Sequence, residues 1–68
     1  MKYFIDILKT KKRDVRVVVK LVDDVYWFHS GNFNPKLVGV WSLLDNPVDG
    51  WTDGLIPISK EEAFLEML

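Results

Sequence analysis

The feature that most constrains this chain is the run of residues 15–22, VRVVVKLV, in which five of the eight residues are valine. β-Branched side chains favour extended backbone, and the run is too short for a typical helix. Polar segments flank it on both sides, residues 10–14 before it and Asp23-Asp24 after it. Because each segment has the length of a hairpin connection, the run is predicted to be the central strand of an antiparallel sheet.

The neighbouring segments predict the two adjacent strands. Residues 3–9 alternate in hydropathy, and residues 25–30 combine β-branched and aromatic side chains. A five-residue loop at 10–14 pairs Ile5 with Val19, and a two-residue turn pairs Val19 with Phe28. Both registers predict one shared apolar face, made of Tyr3, Ile5, Ile7, Val17, Val19, Leu21, Tyr26 and Phe28.

The opposite face of this meander is predicted to mix apolar and charged side chains. Its members are Phe4, Asp6, Leu8, Arg16, Val18, Lys20, Val22, Trp27 and His29. In this register Lys20 lies beside Phe4 and Trp27, close enough for a cation–π contact. A face that only meets water does not need so many large apolar groups. We therefore expect later chain to cover it or a partner to bind it.

The second half of the chain predicts a fourth strand, an ordered loop and a helix. Residues 31–36 are of types that favour turns. Residues 37–44 predict a strand that is covered on both sides and bends at Gly39. Residues 45–57 predict a loop with a turn at Asn46-Pro47, a short hairpin at Asp49-Gly50 and a short strand at 55–56.

The last ten residues predict a helix. Ser59 is followed three residues later by Glu62, which matches a capping box, so the helix begins near residue 60 and continues to the end. It is too short to persist alone and must therefore dock on the sheet. Its buried side is predicted to consist of Ala63, Phe64, Met67 and Leu68.

Length and composition limit the architecture. The chain has 68 residues, of which 49% are hydrophobic, and it contains no cysteine. These values predict one ordered domain, residues 1–68, held together without disulfides or thiolate metal sites. The predicted class is α+β: a small antiparallel meander sheet of four to five strands, open or closed into a small barrel, with one C-terminal helix. The N-terminal apolar run is short and contains charges, so we expect a soluble cytoplasmic protein that does not contact membranes.

Charge is strongly segregated along the chain. Residues 1–20 contain seven basic and two acidic residues, whereas residues 21–68 contain two basic and eight acidic ones. The densest basic stretch is residues 9–13, KTKKR. This stretch is either a solvated hairpin tip or a site that attracts phosphates or an acidic partner.

The sequence does not predict catalysis. His29 is the only histidine, and no carboxylate lies at metal-ligand spacing from it. Nothing in the spacing of Ser30 or Ser42 supports a catalytic triad with His29. No glycine-rich phosphate loop is present. We expect a protein that is not an enzyme and needs no cofactor, metal or small-molecule substrate.

The leading hypothesis is a non-catalytic module that binds a partner protein, or a second copy of itself, through an aromatic and basic sheet face. The predicted contact residues are Phe4, Lys11, Lys12, Arg13, Arg16, Lys20, Trp27 and Trp51. One alternative is single-stranded nucleic-acid binding, with bases stacked on Phe4 and Trp27 and phosphates held by the basic segment 9–20. Another is an acidic surface that inhibits a basic partner, formed by Asp45, Asp49, Asp53, Glu61, Glu62 and Glu66.

Overall fold

A computed structural model describes residues 1–45 and 49–68 of the protein and confirms the predicted α+β class. Its strands and α-helix are β1 (Lys2–Lys9), β2 (Asp14–Val22), β3 (Val25–His29), β4 (Trp41–Leu43), β5 (Ile56–Ile58) and α1 (Lys60–Glu66). All strand pairs are antiparallel, and the strand order is β4-β3-β2-β1-β5. Within the described ranges β4 and β5 are the two edges, so the sheet is open rather than barrel-like. The predicted Asn46-Pro47 turn lies outside the described residues.

The predicted pairing of β1 with β2 was wrong by one residue. Ile5 lies opposite Val18 rather than Val19, because the connecting loop has four residues and not five. The Thr10 N–H donates to the Arg13 carbonyl oxygen at 3.1 Å, and the Thr10 hydroxyl accepts from the Arg13 N–H at 3.1 Å. These bonds tighten the turn and bring Asp14 into the strand. A slip of one residue moves every β1 side chain to the other side of the sheet.

The β2–β3 register was predicted correctly. Val19 lies opposite Phe28, and the two-residue turn has positive φ at both Asp23 (50°) and Asp24 (63°). This is the backbone that a tight hairpin turn requires, and aspartate tolerates it better than most residues.

The sheet therefore has two faces whose membership differs from the prediction. The helix face is the side on which α1 packs, and the cleft face is the opposite side. The helix face carries Tyr3, Ile5, Ile7, Arg16, Val18, Lys20, Trp27 and His29. The cleft face carries Phe4, Asp6, Leu8, Val17, Val19, Leu21, Tyr26 and Phe28.

The core lies on both sides of β2. On the helix face, Ile5 and Val18 pack against Ala63 of α1, and each is almost completely buried. On the cleft face, Val17 and Val19 are also buried. The central strand is thus covered on both sides, which explains why its sequence is nearly continuous valine.

Helix α1 begins with the predicted capping box. The Ser59 hydroxyl accepts from the Glu62 N–H at 3.1 Å, and the Glu62 carboxylate accepts from the Ser59 N–H at 3.1 Å. The predicted buried side was only partly correct. Ala63 is buried and Met67 packs against the core, but Phe64 is 49% exposed and Leu68 is 96% exposed. A helix this short meets the sheet along a single stripe spaced by four residues.

Loss of the capping box gives a direct test of this helix. We expect Ser59→Ala to lower the free energy of unfolding by about 1 kcal/mol, since the Glu62 N–H loses the hydroxyl that accepts its hydrogen bond. Urea unfolding measures the change. Thr52→Ala is the matched control, because Thr52 is also exposed and its hydroxyl makes no hydrogen bond among the described residues. Equal losses in both variants would contradict the assigned cap.

The fourth strand starts later than predicted. Residues 35–37 form a short 3₁₀ helix, capped by the Asn34 side chain, which accepts from the Lys36 N–H at 3.0 Å. Gly39 then turns the chain with φ of +86°, and β4 begins at Trp41. Leu37, like most of this connection, is exposed, so the prediction that the whole segment is covered on both sides was wrong. Local capping outweighs the strand preference of this apolar run.

The later loop differs from the prediction in one respect. The predicted hairpin at Asp49-Gly50 is absent from the described residues, because Gly50 (φ +77°) leads into a 3₁₀ helix over Trp51–Gly54. The short strand predicted at 55–56 is β5, residues 56–58. No helix in the described ranges is long and apolar enough to cross a membrane.

Candidate binding surface

The predicted contact residues do not lie on one face. The register of β1 places Phe4 on the cleft face, whereas Arg16, Lys20 and Trp27 lie on the helix face. Trp51 lies over the cleft face, where it contacts Asp6. The single aromatic and basic face that the sequence predicted is therefore divided between the two sides of the sheet.

Two of the predicted basic contacts already have partners within the chain. The Arg16 guanidinium contacts the Glu66 carboxylate of α1, with Nη2 at 2.8 Å and Nε at 3.0 Å from Oε1. The hydrogen bond and the charge of Glu66 raise the pKa of Arg16. The Lys20 ammonium lies 4.2 Å from the ring centroid of Trp41, and not over Trp27, its neighbour on β3. Both cations help to join α1 and β4 to the sheet.

The cleft face carries an apolar cleft of about 200 Å³. The floor is formed by buried valines of β2, and the walls come from β1, β3 and the two long connections. A single carboxylate, that of Asp6, lies among these groups. The lining residues are Asp6, Leu8, Val17, Val19, Phe28, Phe33, Leu44 and Trp51.

Trp51 forms one wall of the cleft and is held at two points. Its indole N–H donates to Asp6 Oδ2 at 3.2 Å, and its ring meets Tyr26 edge-on, with centroids 5.1 Å apart. Gly50 supplies the left-handed backbone that begins the 3₁₀ helix of Trp51. Residues of β1 and β3 and the backbone of this helix therefore all position the indole.

Phe33 forms another wall of the cleft and was not among the predicted contact residues. Its ring meets Phe28 edge-on at 5.9 Å, and its N–H donates to the Ser30 carbonyl oxygen. It remains 51% exposed. The sequence feature that could have indicated Phe33 is its position between Asn32 and Asn34, because a large apolar side chain is not required to form a turn.

The basic hairpin tip, residues 11–13, lies close in the sequence to the cleft wall formed by β1. Lys11, Lys12 and Arg13 are all exposed at the β1–β2 turn. Leu8, which lines the cleft and is 38% exposed, lies only three residues before Lys11. The hairpin therefore connects an apolar cleft with a cluster of exposed cations that have no salt bridge to any described residue.

His29 has a structural role. The ring is fully buried, its Nδ1 lies 2.9 Å from Asn32 Oδ1, and its Nε2 accepts from the Gly39 N–H at 2.8 Å. The bond from Gly39 assigns the ring proton to Nδ1, so both nitrogens are used. Ser30 and Ser42 hydrogen-bond to each other rather than to this ring. Within residues 1–45 and 49–68, no three histidine or acidic side chains are grouped to hold a metal.

Phe4 lines a second, larger cavity of about 440 Å³ at the N-terminal end of the sheet. Lys2 and Lys60 lie at this cavity, together with Pro57 of β5. Phe4 thus lies on the other face from Trp27 and does not line the cleft of Trp51, although it is paired with Val19 of the cleft floor.

Comparisons with known protein families, with curated proteins and with solved structures gave no match to this chain. The fold and the site define a small α+β domain with an open antiparallel sheet. One face of that sheet is packed by a helix, and the other bears an apolar cleft between two aromatic walls.

Proposed function

We propose that this protein is a non-catalytic binding module that binds a partner protein through its cleft face. The observation that supports the proposal is the apolar cleft between Phe33 and Trp51, which is open on one side in the part of the chain that the structure describes. Exposed apolar concavities with ordered aromatic walls are typical of sites that receive an anchor residue from a partner.

The size of the cleft favours a side chain as the ligand. A volume of about 200 Å³ accommodates one large apolar side chain. Pockets for drug-sized molecules and cofactors are usually larger, about 300–1,000 Å³. We infer that the partner inserts one leucine-sized or aromatic residue between Phe33 and Trp51.

The charge beside the cleft indicates the chemistry of the partner. Lys11, Lys12 and Arg13 have no carboxylate within salt-bridge distance among the described residues, unlike Arg16. Free cations at the rim of an apolar site steer an oppositely charged partner and raise the association rate. We therefore expect acidic residues next to the inserted apolar one.

Selection from a library of short random peptides tests the proposal with the full chain. The selected peptides are expected to combine a large apolar residue with neighbouring aspartate or glutamate. Leu8→Ser, at the cleft wall, is expected to weaken their binding about tenfold. Leu65→Ser is the matched control, since Leu65 is 69% exposed on α1 and does not line the cleft. Equal affinity of both variants, or no enriched peptide, would contradict a binding role for the cleft.

Charge reversal at the hairpin tip tests the steering role. We expect the variant K11E/K12E/R13E to bind the selected peptides with a lower association rate and with little remaining salt dependence. The control variant K2E/K36E/K60E changes the net charge equally at three exposed lysines elsewhere. Stopped-flow measurements at low and high salt distinguish the two. If both variants slow association to the same extent, net charge rather than the tip is responsible.

The nucleic-acid alternative has less support. Phe4 and Trp27 point to opposite sides of the sheet, so a single strand cannot stack on both from one surface. Only the tip remains as a phosphate contact. Binding of a labelled single strand that weakens steeply with salt and is unaffected by Leu8→Ser would favour this alternative over the cleft.

The acidic-surface alternative also has less support, because two of its acidic residues make contacts within the chain. Glu62 completes the cap of α1, and Glu66 pairs with Arg16. Of its remaining carboxylates, Asp45 follows β4, Asp49 and Asp53 flank Trp51 in the sequence, and Glu61 lies in the first turn of α1. No described cavity joins them into one site.

A further inference from the structure

The hydrogen-bond pattern of β1 identifies which of its backbone groups face outward. Residues in an antiparallel pair alternately bond to the neighbouring strand and point away from it. The Thr10 N–H bond to the Arg13 carbonyl continues the β1–β2 ladder, so even-numbered β1 residues bond to β2 and odd-numbered ones point the other way. Pro57 of β5 lies opposite Phe4. This agrees with the pattern, because a proline can occupy only a pair that needs no N–H.

The edge of β1 that faces away from β2 is therefore paired with another strand over only part of its length. β5 pairs with Tyr3 to Ile5 and then ends. The N–H and C=O groups of Ile7 and Lys9 point away from β2, and no described strand lies beside them. Both residues are exposed.

Two other stretches of strand backbone without a neighbouring strand are blocked, whereas this one is not. The outer edge of β5 carries Pro57, which lacks the N–H that an added strand would bond. Beside β2, the Val18 N–H donates to the Asn32 side chain at 3.2 Å, so the place of a neighbouring strand is taken by an amide. Such devices normally protect exposed edges from pairing. The stretch from Ile7 to Lys9 has neither a proline nor a capping side chain among the described residues.

We propose that an extended, acidic segment of the partner protein adds to the sheet as a further strand along β1, beside Ile7–Lys9. Charge complementarity supports this occupant. Lys9, Lys11, Lys12 and Arg13 lie within five residues at the end of this edge, where a strand that continues past Lys9 meets them. Strand addition supplies affinity through backbone bonds and specificity through alternate side chains.

The added strand also connects with the cleft. Directly opposite residues in neighbouring strands point to the same face. A partner residue opposite Leu8 therefore projects onto the cleft face, next to the wall formed by Asp6 and Leu8. The inference rests on the proposed function, because the same segment places its apolar residue in the cleft.

The test uses a proline at an outward-facing position. Ile7→Pro removes an outward N–H and leaves every β1–β2 bond intact, whereas Ile7→Ala removes a similar part of the side chain and keeps the N–H. The probe is a capped synthetic peptide that alternates glutamate and valine around one tryptophan. We expect Ile7→Pro to bind it about tenfold more weakly than Ile7→Ala. We also expect the peptide to slow amide exchange at Ile7 and Lys9, and a peptide with lysine in place of glutamate not to bind.

Each contrary result has a distinct meaning. Equal binding by both Ile7 variants, together with loss in Leu8→Ser, would overturn the added strand and leave the cleft function standing. Binding that is insensitive to all three variants would overturn both the added strand and the cleft function.

The exchange and peptide results test where the strand adds and what it is. Slowed amide exchange at Trp41 and Leu43, rather than at Ile7 and Lys9, would place the strand on β4 and overturn the inference. Binding of the lysine peptide, or failure of the acidic peptide at millimolar concentration, would overturn the acidic occupant. Concentration-dependent slowing in the chain alone would make a second copy the occupant.

Discussion

Gly31→Ala is expected to lower the free energy of unfolding by about 3 kcal/mol. A Cβ at this position would lie 2.6 Å from His29 Cε1 and 2.7 Å from the Cα of Val38. The imidazole cannot move aside, because Asn32 and Gly39 hold its two nitrogens, and the Val38 atom belongs to the backbone. A domain of this length is typically stable by about 3–10 kcal/mol, so the variant is expected to lose between about a third and nearly all of its stability.

Urea unfolding followed by tryptophan fluorescence measures this loss. Gly54→Ala is the control, since a Cβ there meets nothing within 4 Å and the φ of Gly54 is not in the left-handed region. We expect it to change stability by less than about 0.5 kcal/mol. If the two substitutions have equal effects, the backbone does not pass as closely over His29 as described.

Asn32→Ala is expected to cost a similar amount, about 3 kcal/mol. The Asn32 carbonyl oxygen accepts from the Val18 N–H at 3.2 Å and lies 2.9 Å from His29 Nδ1, while its amide donates to the Glu66 carbonyl oxygen at 3.1 Å. Alanine leaves a fully buried strand N–H and a buried ring N–H without partners, and each unsatisfied group carries a desolvation penalty.

Two further variants separate the contributions of this side chain. Asn32→Asp keeps both acceptor roles but turns an oxygen, charged when ionised, toward the Glu66 carbonyl oxygen, so we expect it to destabilise the fold through that contact alone. Asn34→Ala removes an exposed cap two residues away and is expected to cost about 1 kcal/mol or less. Equal unfolding midpoints and m-values for Asn32→Ala and Asn34→Ala would contradict the bridging role of Asn32.

The sequence predicted the elements that depend on local chemistry. The valine-rich run became β2, the aspartate pair became a two-residue turn, and the serine–glutamate pair capped α1. Each depends on contacts between residues close in the chain, and such contacts are visible in a sequence. The class of fold follows from these elements in order.

The candidate site was less predictable because it depends on register. Thr10 shortened the first hairpin loop by one residue through its hydroxyl, and this change separated Phe4 from Trp27. Trp51 was identified as a contact residue and lies at the cleft, whereas Phe33 was not considered. The cleft brings together residues from five different segments, and no regular spacing in the sequence indicates that these segments meet.

The amino-acid sequence by itself determined where strands, turns and the helix form, because hydropathy period, turn residues and caps act over a few neighbouring positions. Only the tertiary structure decided which side of the sheet each β1 side chain occupies, which cations pair with groups of the described residues and which described strand lies beside each backbone edge. The physical reason is that these outcomes depend on pairing between distant segments. The hydrogen-bonded turn at Thr10–Arg13 shifts the whole β1–β2 register, and the Asn32 side chain accepts the Val18 N–H that a neighbouring strand would otherwise bond.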